Sequence, residues 1–237
     1  MINIIDTFRN IVGDKYAIVK ILILTVPAVI ATYAQLSGQT AFSTTINIIF
    51  GVVFAAIFFE TIRRSCTAEP MLLPPFMLPF RMFITLGLTI LAAIPVTAVC
   101  AGLGFGYFHV MFNYFPDVVQ SSITLKVCNF IFSLLVSSLF FASITQFLDT
   151  GKLWDAYNPI KVALALKTFI VNIFFFIIQD IIFILIFMVV PAYIIALLAG
   201  MNWTNFFVIL WVSVCFVTNY LMWADFLGQT KKDSEVY

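Results

Sequence analysis

The stretch "FFFIIQDIIFILIF" (174–187) sets a glutamine, Gln179, and a carboxylate, Asp180, inside an apolar run long enough to cross a membrane. A carboxylate at the middle of such a run, with no lysine or arginine at that depth in a neighbouring span, is costly to keep ionised and is the kind of group that takes up a proton or a cation. The polar residues that could join it as a candidate intramembrane site are Asn172 upstream on the same run and Asn129, Ser133 and Ser137 of an earlier one. At 100° per residue, Lys161, Thr168, Asn172 and Gln179 fall within about 20° of a single line along a helix. Asp180 stands about 100° away from that line, beside it rather than on it.

Other chemistries lack their residues. The single histidine, His109, follows Tyr107 and Phe108 near the end of an apolar run, where amphipathic side chains settle at headgroup level. No H-E-x-x-H, G-x-S-x-G or P-loop occurs, so a non-enzymatic protein without metal or cofactor is expected. Cys66, Cys100, Cys128 and Cys215 are far apart and read as buried free thiols, with Cys100–Cys128 the one pair to test as a disulfide. "GLGFG" (102–106) sits inside an apolar run with no strand before it, and close helix packing explains its glycines better than a nucleotide does.

The elements that must position these residues follow from composition. With 63% hydrophobic residues, 28 Phe and 10% charged residues in 237, the chain has too little polar material to cover a water-soluble globule. The lipid bilayer is its first partner, and twelve Lys/Arg against eleven Asp/Glu leave no basic groove for nucleic acid. Apolar stretches near 17–35, 42–61, 83–110, 127–147, 168–199 and 206–224 predict an all-α, polytopic protein of six transmembrane helices. Residues 1–228 are expected to form one transmembrane domain, and 229–237 a disordered polar tail. Residues before the first run, including Asp6 and Asp14, argue for an uncleaved first helix rather than a signal peptide.

Orientation follows from the cations. Arg9, Lys15, Lys20, Arg63, Arg64, Arg81, Lys152, Lys161, Lys167, Lys231 and Lys232 share one side of a six-span arrangement, and Lys126 alone takes the other. The positive-inside rule then predicts the cytoplasmic membrane with both termini cytoplasmic.

The cytoplasmic segments 4–20, 58–83 and 140–167 share a texture: a polar tip, apolar or proline-containing residues, and a cation before the next span. They suggest three helical hairpins, each preceded by an amphipathic interfacial segment. Pro27, Pro95 and Pro191 fall in the first helix of each pair, where a proline frees a carbonyl that neighbours must satisfy. "DTFRNIVGDKYAIVKILI", "GVVFAAIFFETIRR…LPPF" and "FFASITQFLDTGKLWDAYNPIKVALALK" together resemble a prokaryotic family of multi-pass membrane proteins known only as a domain of unknown function. The resemblance implies fold and location and carries no catalytic residues.

Depth decides what Asp180 means. The run 168–199 would be roughly 48 Å as a straight helix, against a hydrocarbon core near 30 Å. If 168–190 crosses, Asp180 is near the midplane; if about 180–199 crosses, it lies near the cytoplasmic boundary. The second register is preferred because it leaves no apolar "PAYIIALLA" (191–199) outside. Trp154, Tyr157, Lys161 and Lys167 are then interfacial anchors, and the proline-rich "AEPMLLPPFMLPF" (68–80) lies on the inner leaflet or docks on a partner. Glu60 and Asp225 read as interfacial ion-pair carboxylates of small energy. The expected function is a non-enzymatic scaffold or subunit organising lipids, a membrane-protein partner or a homo-oligomer at the cytoplasmic leaflet. The alternative is a small transporter or channel-like protein using Asp180 in the fifth span.

Overall fold

The structure is a computed structural model, and it describes residues 2–69, 72–74, 79–115 and 122–234. Among the described residues there is no strand, and six helices are long and apolar enough to cross a membrane: Ala17–Leu36, Thr40–Cys66, Phe80–Tyr114, Ile123–Thr150, Pro159–Leu198 and Phe206–Asp233. The chain is thus an all-α, multi-pass membrane protein. Each span carries many exposed large apolar side chains, as lipid-facing helices require.

A short helix, α1 (Ile4–Val12), precedes the first span. Asn3 caps it, its side chain accepting from the Ile5 N–H, and Ile4, Thr7 and Ile11 form its buried stripe. Next come α2 (Ala17–Leu36) and α3 (Thr40–Cys66), joined by a tight turn. Gly38 turns the chain at φ +78°, with its own N–H on Gln35 O and the Gln39 N–H on Ala34 O, a pairing that needs a left-handed residue. After α4 (Pro79–Tyr114) and α5 (Ser122–Thr150) come a single turn, α6 (Leu153–Ala156), and α7 (Pro159–Phe183). Asn158 caps α7 through the Ile160 and Lys161 N–H groups, with Pro159 in the first turn, where its missing N–H costs nothing. The helix widens into a π-helical stretch, Ile184–Val189, and continues as α8 (Val190–Leu198). Gly200, left-handed at φ +71°, leads on toward α9 (Phe206–Asp233).

The prolines behave as their chemistry demands. Pro191 removes the N–H that Phe187 O would accept in an α-helix, and that carbonyl instead accepts from Trp211 Nε1 at 3.0 Å and faces Cys215 Sγ at 3.6 Å. In the turn freed by Pro95, the Tyr157 hydroxyl donates to Ala92 O at 3.1 Å and reaches Leu91 O at 3.5 Å.

The chain divides into two compact units, one of residues 1–86 and 176–229, the other of 87–175 and 230–237. Hydropathy marks which segments cross and carries no signal of which crossings pack together. In the first unit α8 packs on α9 through Ala192, Ala196 and Val208. The expected disordered tail differs: α9 is helical through Asp233, and Lys231, in the second unit, is buried with its Nζ 3.4 Å from Asp149. Residues 235–237 lie outside the described residues. All four cysteines are free thiols, Cys100 and Cys128 included.

Candidate functional site

Asp180 projects from α7 against α9 and is 8% exposed. Trp223 Nε1 donates to its Oδ2 at 2.9 Å, and Asn219 Nδ2 approaches the same oxygen at 3.5 Å. The two partners are four residues apart and so share one face of α9. No cation pairs with Asp180 among the described residues. Its Oδ1 is buried without a hydrogen-bond partner, and so is Asn219 Oδ1. A buried polar atom left unpaired costs about 1–3 kcal/mol, so two on contacting side chains call for an explanation.

Trp223 is held in place by aromatic packing. Its ring meets Phe176 edge-on at 4.8 Å and Phe226 at 5.6 Å, while Phe176 and Phe226 stack at 3.9 Å. On the next face of α9, Tyr220 packs 4.4 Å from both Phe54 and Phe58 of α3.

Gln179 has a different task. Its Oε1 accepts from the Ile4 N–H at 2.9 Å, satisfying a free donor at the start of α1. Phe8 packs on Phe183 and Phe187, and Asn10 Nδ2 donates to Asp225 Oδ2 at 3.2 Å, so α1 is tied to both α7 and α9. Asp225 is 1% exposed and also accepts from Ser65 Oγ at 2.7 Å and Gln229 Nε2 at 2.6 Å. These three donors are neutral and the setting is buried, whereas an interfacial ion pair of small energy was expected from sequence.

Glu60 corrects the sequence reading in the same way. It is fully buried and accepts from Arg63 Nη2 at 2.7 Å, Arg64 Nε at 3.0 Å and Thr85 Oγ1 at 2.9 Å. Glu69 shares Arg63 at 2.6 Å and Arg64 at 3.3 Å. In such a site the desolvation of each charge outweighs surface screening, and removal of one partner is expensive. The loop 68–80 lies partly outside the described residues, but Leu73 within it is buried, its N–H on Asp14 Oδ2 at 2.8 Å and its carbonyl on Lys20 Nζ at 2.9 Å. That part of the loop docks on its own chain.

The line of polar residues on α7 does not serve one edge. Lys161 is exposed and pairs with Asp155 at 2.8 Å; Asn172 is buried with its Nδ2 unpaired; Gln179 holds α1. The hydrogen bond from Lys161, followed by one from Thr150, holds the Asp155 carboxyl below the usual carboxylate range. In the second unit Asn129 Oδ1 accepts from the Tyr107 hydroxyl at 2.8 Å, and Ser133 is exposed. Of the expected anchors, Trp154 is 83% exposed and Lys167 is exposed, whereas Tyr157 turns inward to the backbone near Pro95.

Sequence reasoning singled out Asp180 and missed Asn219 and Trp223. Their only signal is the i, i+4 placement of an amide and an indole in "NYLMW", which does not say what they face. Comparison with protein-family models, curated proteins and solved structures gives no match for this chain. The site is therefore read from its own geometry.

Proposed function

We propose that this chain is a small transport protein of the cytoplasmic membrane, in which Asp180 binds a proton or small cation. The observation that carries this reading is a 92% buried carboxylate with no cationic partner and one oxygen without a donor, beside an asparagine whose own oxygen is also unpaired. A carboxylate kept only for helix association would have both oxygens engaged, as the buried Asp225 does. Access from the cation-rich, cytoplasmic side is supported by two neighbours. Trp223 lies at the end of the apolar stretch 206–224, and Gln179 meets the first turn of amphipathic α1. Both favour the shallower register for Asp180.

Reconstituted into liposomes, the full chain should dissipate an imposed proton or monovalent-cation gradient, and Asp180→Asn should abolish that flux. Flux that is equal in the variant, or absent from the wild type under every gradient tried, overturns the reading.

One observation favours the scaffold reading, a component that organises lipid at the cytoplasmic leaflet. Trp154, Ile160 and Leu164 are 83%, 71% and 70% exposed in the segment that carries Lys161 and Lys167. Loss of anionic-lipid retention in a Trp154→Ala, Lys161→Ala, Lys167→Ala variant would support it, and unchanged retention would remove it.

A further inference from the structure

We infer that the ligand of this site is a proton, carried on Asp180 Oδ1 and donated to Asn219 Oδ1. The inference rests on the reading of Asp180 as a ligand site and adds the identity of the ligand. Both oxygens are buried acceptors without donors, on two side chains already in contact through Asp180 Oδ2. A single proton satisfies the pair: an O–H bond forms at Oδ1, that oxygen changes from acceptor to donor, and the Asn219 carbonyl receives it. Trp223 Nε1 continues to donate to Oδ2 in either state, so the indole fixes the carboxyl plane while the proton comes and goes.

A metal cation fits the same atoms poorly. Hard cations take about six oxygen ligands, and two unpaired oxygens lie here. No group of three or more His, Cys, Asp or Glu side chains is placed to hold a metal among the described residues.

The charged and titratable groups of the packed elements are engaged away from the carboxyl. On α9, Asp225 accepts from Asn10, Ser65 and Gln229, and Tyr220 is stacked against Phe54 and Phe58. On α3, Glu60 is bound by Arg63 and Arg64. On α1, Asp6 and Arg9 are exposed. None forms an ion pair with Asp180, so no fixed positive charge competes with the proton.

Release returns the proton to water and leaves both carboxylate oxygens as acceptors. Asn219 Nδ2, already 3.5 Å from Oδ2, then remains the amide's donor to the carboxylate. Proton occupancy thereby decides whether Oδ1 donates or accepts where α7 meets α9.

Infrared difference spectroscopy on the full chain in liposomes tests this. Raising the pH should bleach a protonated-carboxyl C=O band that is missing in Asp180→Asn and shifted in frequency, but present, in Asn219→Ala. The midpoint should not move when sodium replaces choline; a cation competing for the site would move it by about one pH unit for each tenfold change in concentration. A band untouched by Asp180→Asn, or a sodium-dependent midpoint, overturns the proton assignment. Because the readout is occupancy, a proton-binding site in a protein without flux would leave this inference standing and remove the transport reading alone.

Discussion

The indole Nε1 of Trp223 lies 2.9 Å from Asp180 Oδ2, and it is the shortest hydrogen bond the carboxylate receives. Trp223→Phe keeps an aromatic ring against Phe176 and deletes that one donor. The expected cost is about 1 kcal/mol, measured by reversible unfolding in mixed micelles, with a shift in the Asp180 carboxyl infrared band. A loss of stability without any change in that band would place the indole's role in packing alone.

Gly228 lies where α9 crosses Ser65 of α3. A Cβ at 228 would overlap Ser65 Cβ and sit 2.7 Å from its Oγ and 2.9 Å from Ile62 O. Gly228→Ala should therefore destabilise by about 1–3 kcal/mol through overpacking. Ser65→Gly in the same chain should recover part of that loss by removing the clashing side chain, at the expense of its bond to Asp225. Thermal unfolding of the single and double variants reads both effects.

Glu60→Gln removes one of the two carboxylates that Arg63 and Arg64 share and leaves these largely buried guanidinium groups with Glu69 and an amide. Breaking a buried pair from one side costs about 3–5 kcal/mol. The variant should show a markedly lower unfolding midpoint or fail to accumulate. A change below about 1 kcal/mol would mean that the site behaves as a solvent-screened surface pair.

The Tyr157 hydroxyl reaches the carbonyls of Leu91 and Ala92 in the turn opened by Pro95. Tyr157→Phe should cost about 1 kcal/mol in the native sequence. In a Pro95→Ala background, Leu91 O regains an N–H in its own helix, and the same substitution should cost less. A double-mutant cycle on unfolding free energies measures the difference.

Asp155 is held below the ordinary carboxylate range by Lys161 and Thr150. Its contribution to the α6–α7 turn is therefore present in full above the unfolded carboxyl value. It is lost as pH falls through the lowered folded value. Amide exchange across residues 153–161 should quicken only on such acidification, and Asp155→Asn should flatten that dependence at a uniformly faster rate.

What could be read from sequence depended on whether a property is local. Six spans follow from runs of apolar residues, and the carbonyls freed at Pro95 and Pro191 follow from covalent chemistry; Trp211 donates to the one at Phe187, and Tyr157, bonded to Ala92 O, reaches the one at Leu91 at 3.5 Å. Asp180 stood out because its type is costly where it sits. Asn219 and Trp223 did not, because an amide and an indole are ordinary in a span until the helix they face is known. Glu60 was misjudged for the same reason: its pairing with Arg63 and Arg64 is visible at i+3 and i+4, but its burial and the bond from Thr85 depend on another helix. Tyr157 reads as a boundary aromatic by composition, yet its hydroxyl is claimed by a carbonyl 65 positions away.

The π-helical stretch Ile184–Val189 amounts to surplus chain inside an otherwise regular helix. A wide turn spends about one residue more than an α-turn, so the side chains beyond it are rotated by roughly 100° relative to an uninterrupted helix. Ala192 and Ala196, which lie beyond it, pack with Val208. Shortening the chain by one residue between 184 and 189 would straighten the backbone, turn those alanines toward lipid and swing bulkier neighbours against α9. Asp180, lying before the wide turn, would keep its aim. The two halves of this helix are thus indexed independently, one to the carboxylate and one to the small-residue seam, with the wide turn as the clutch between them.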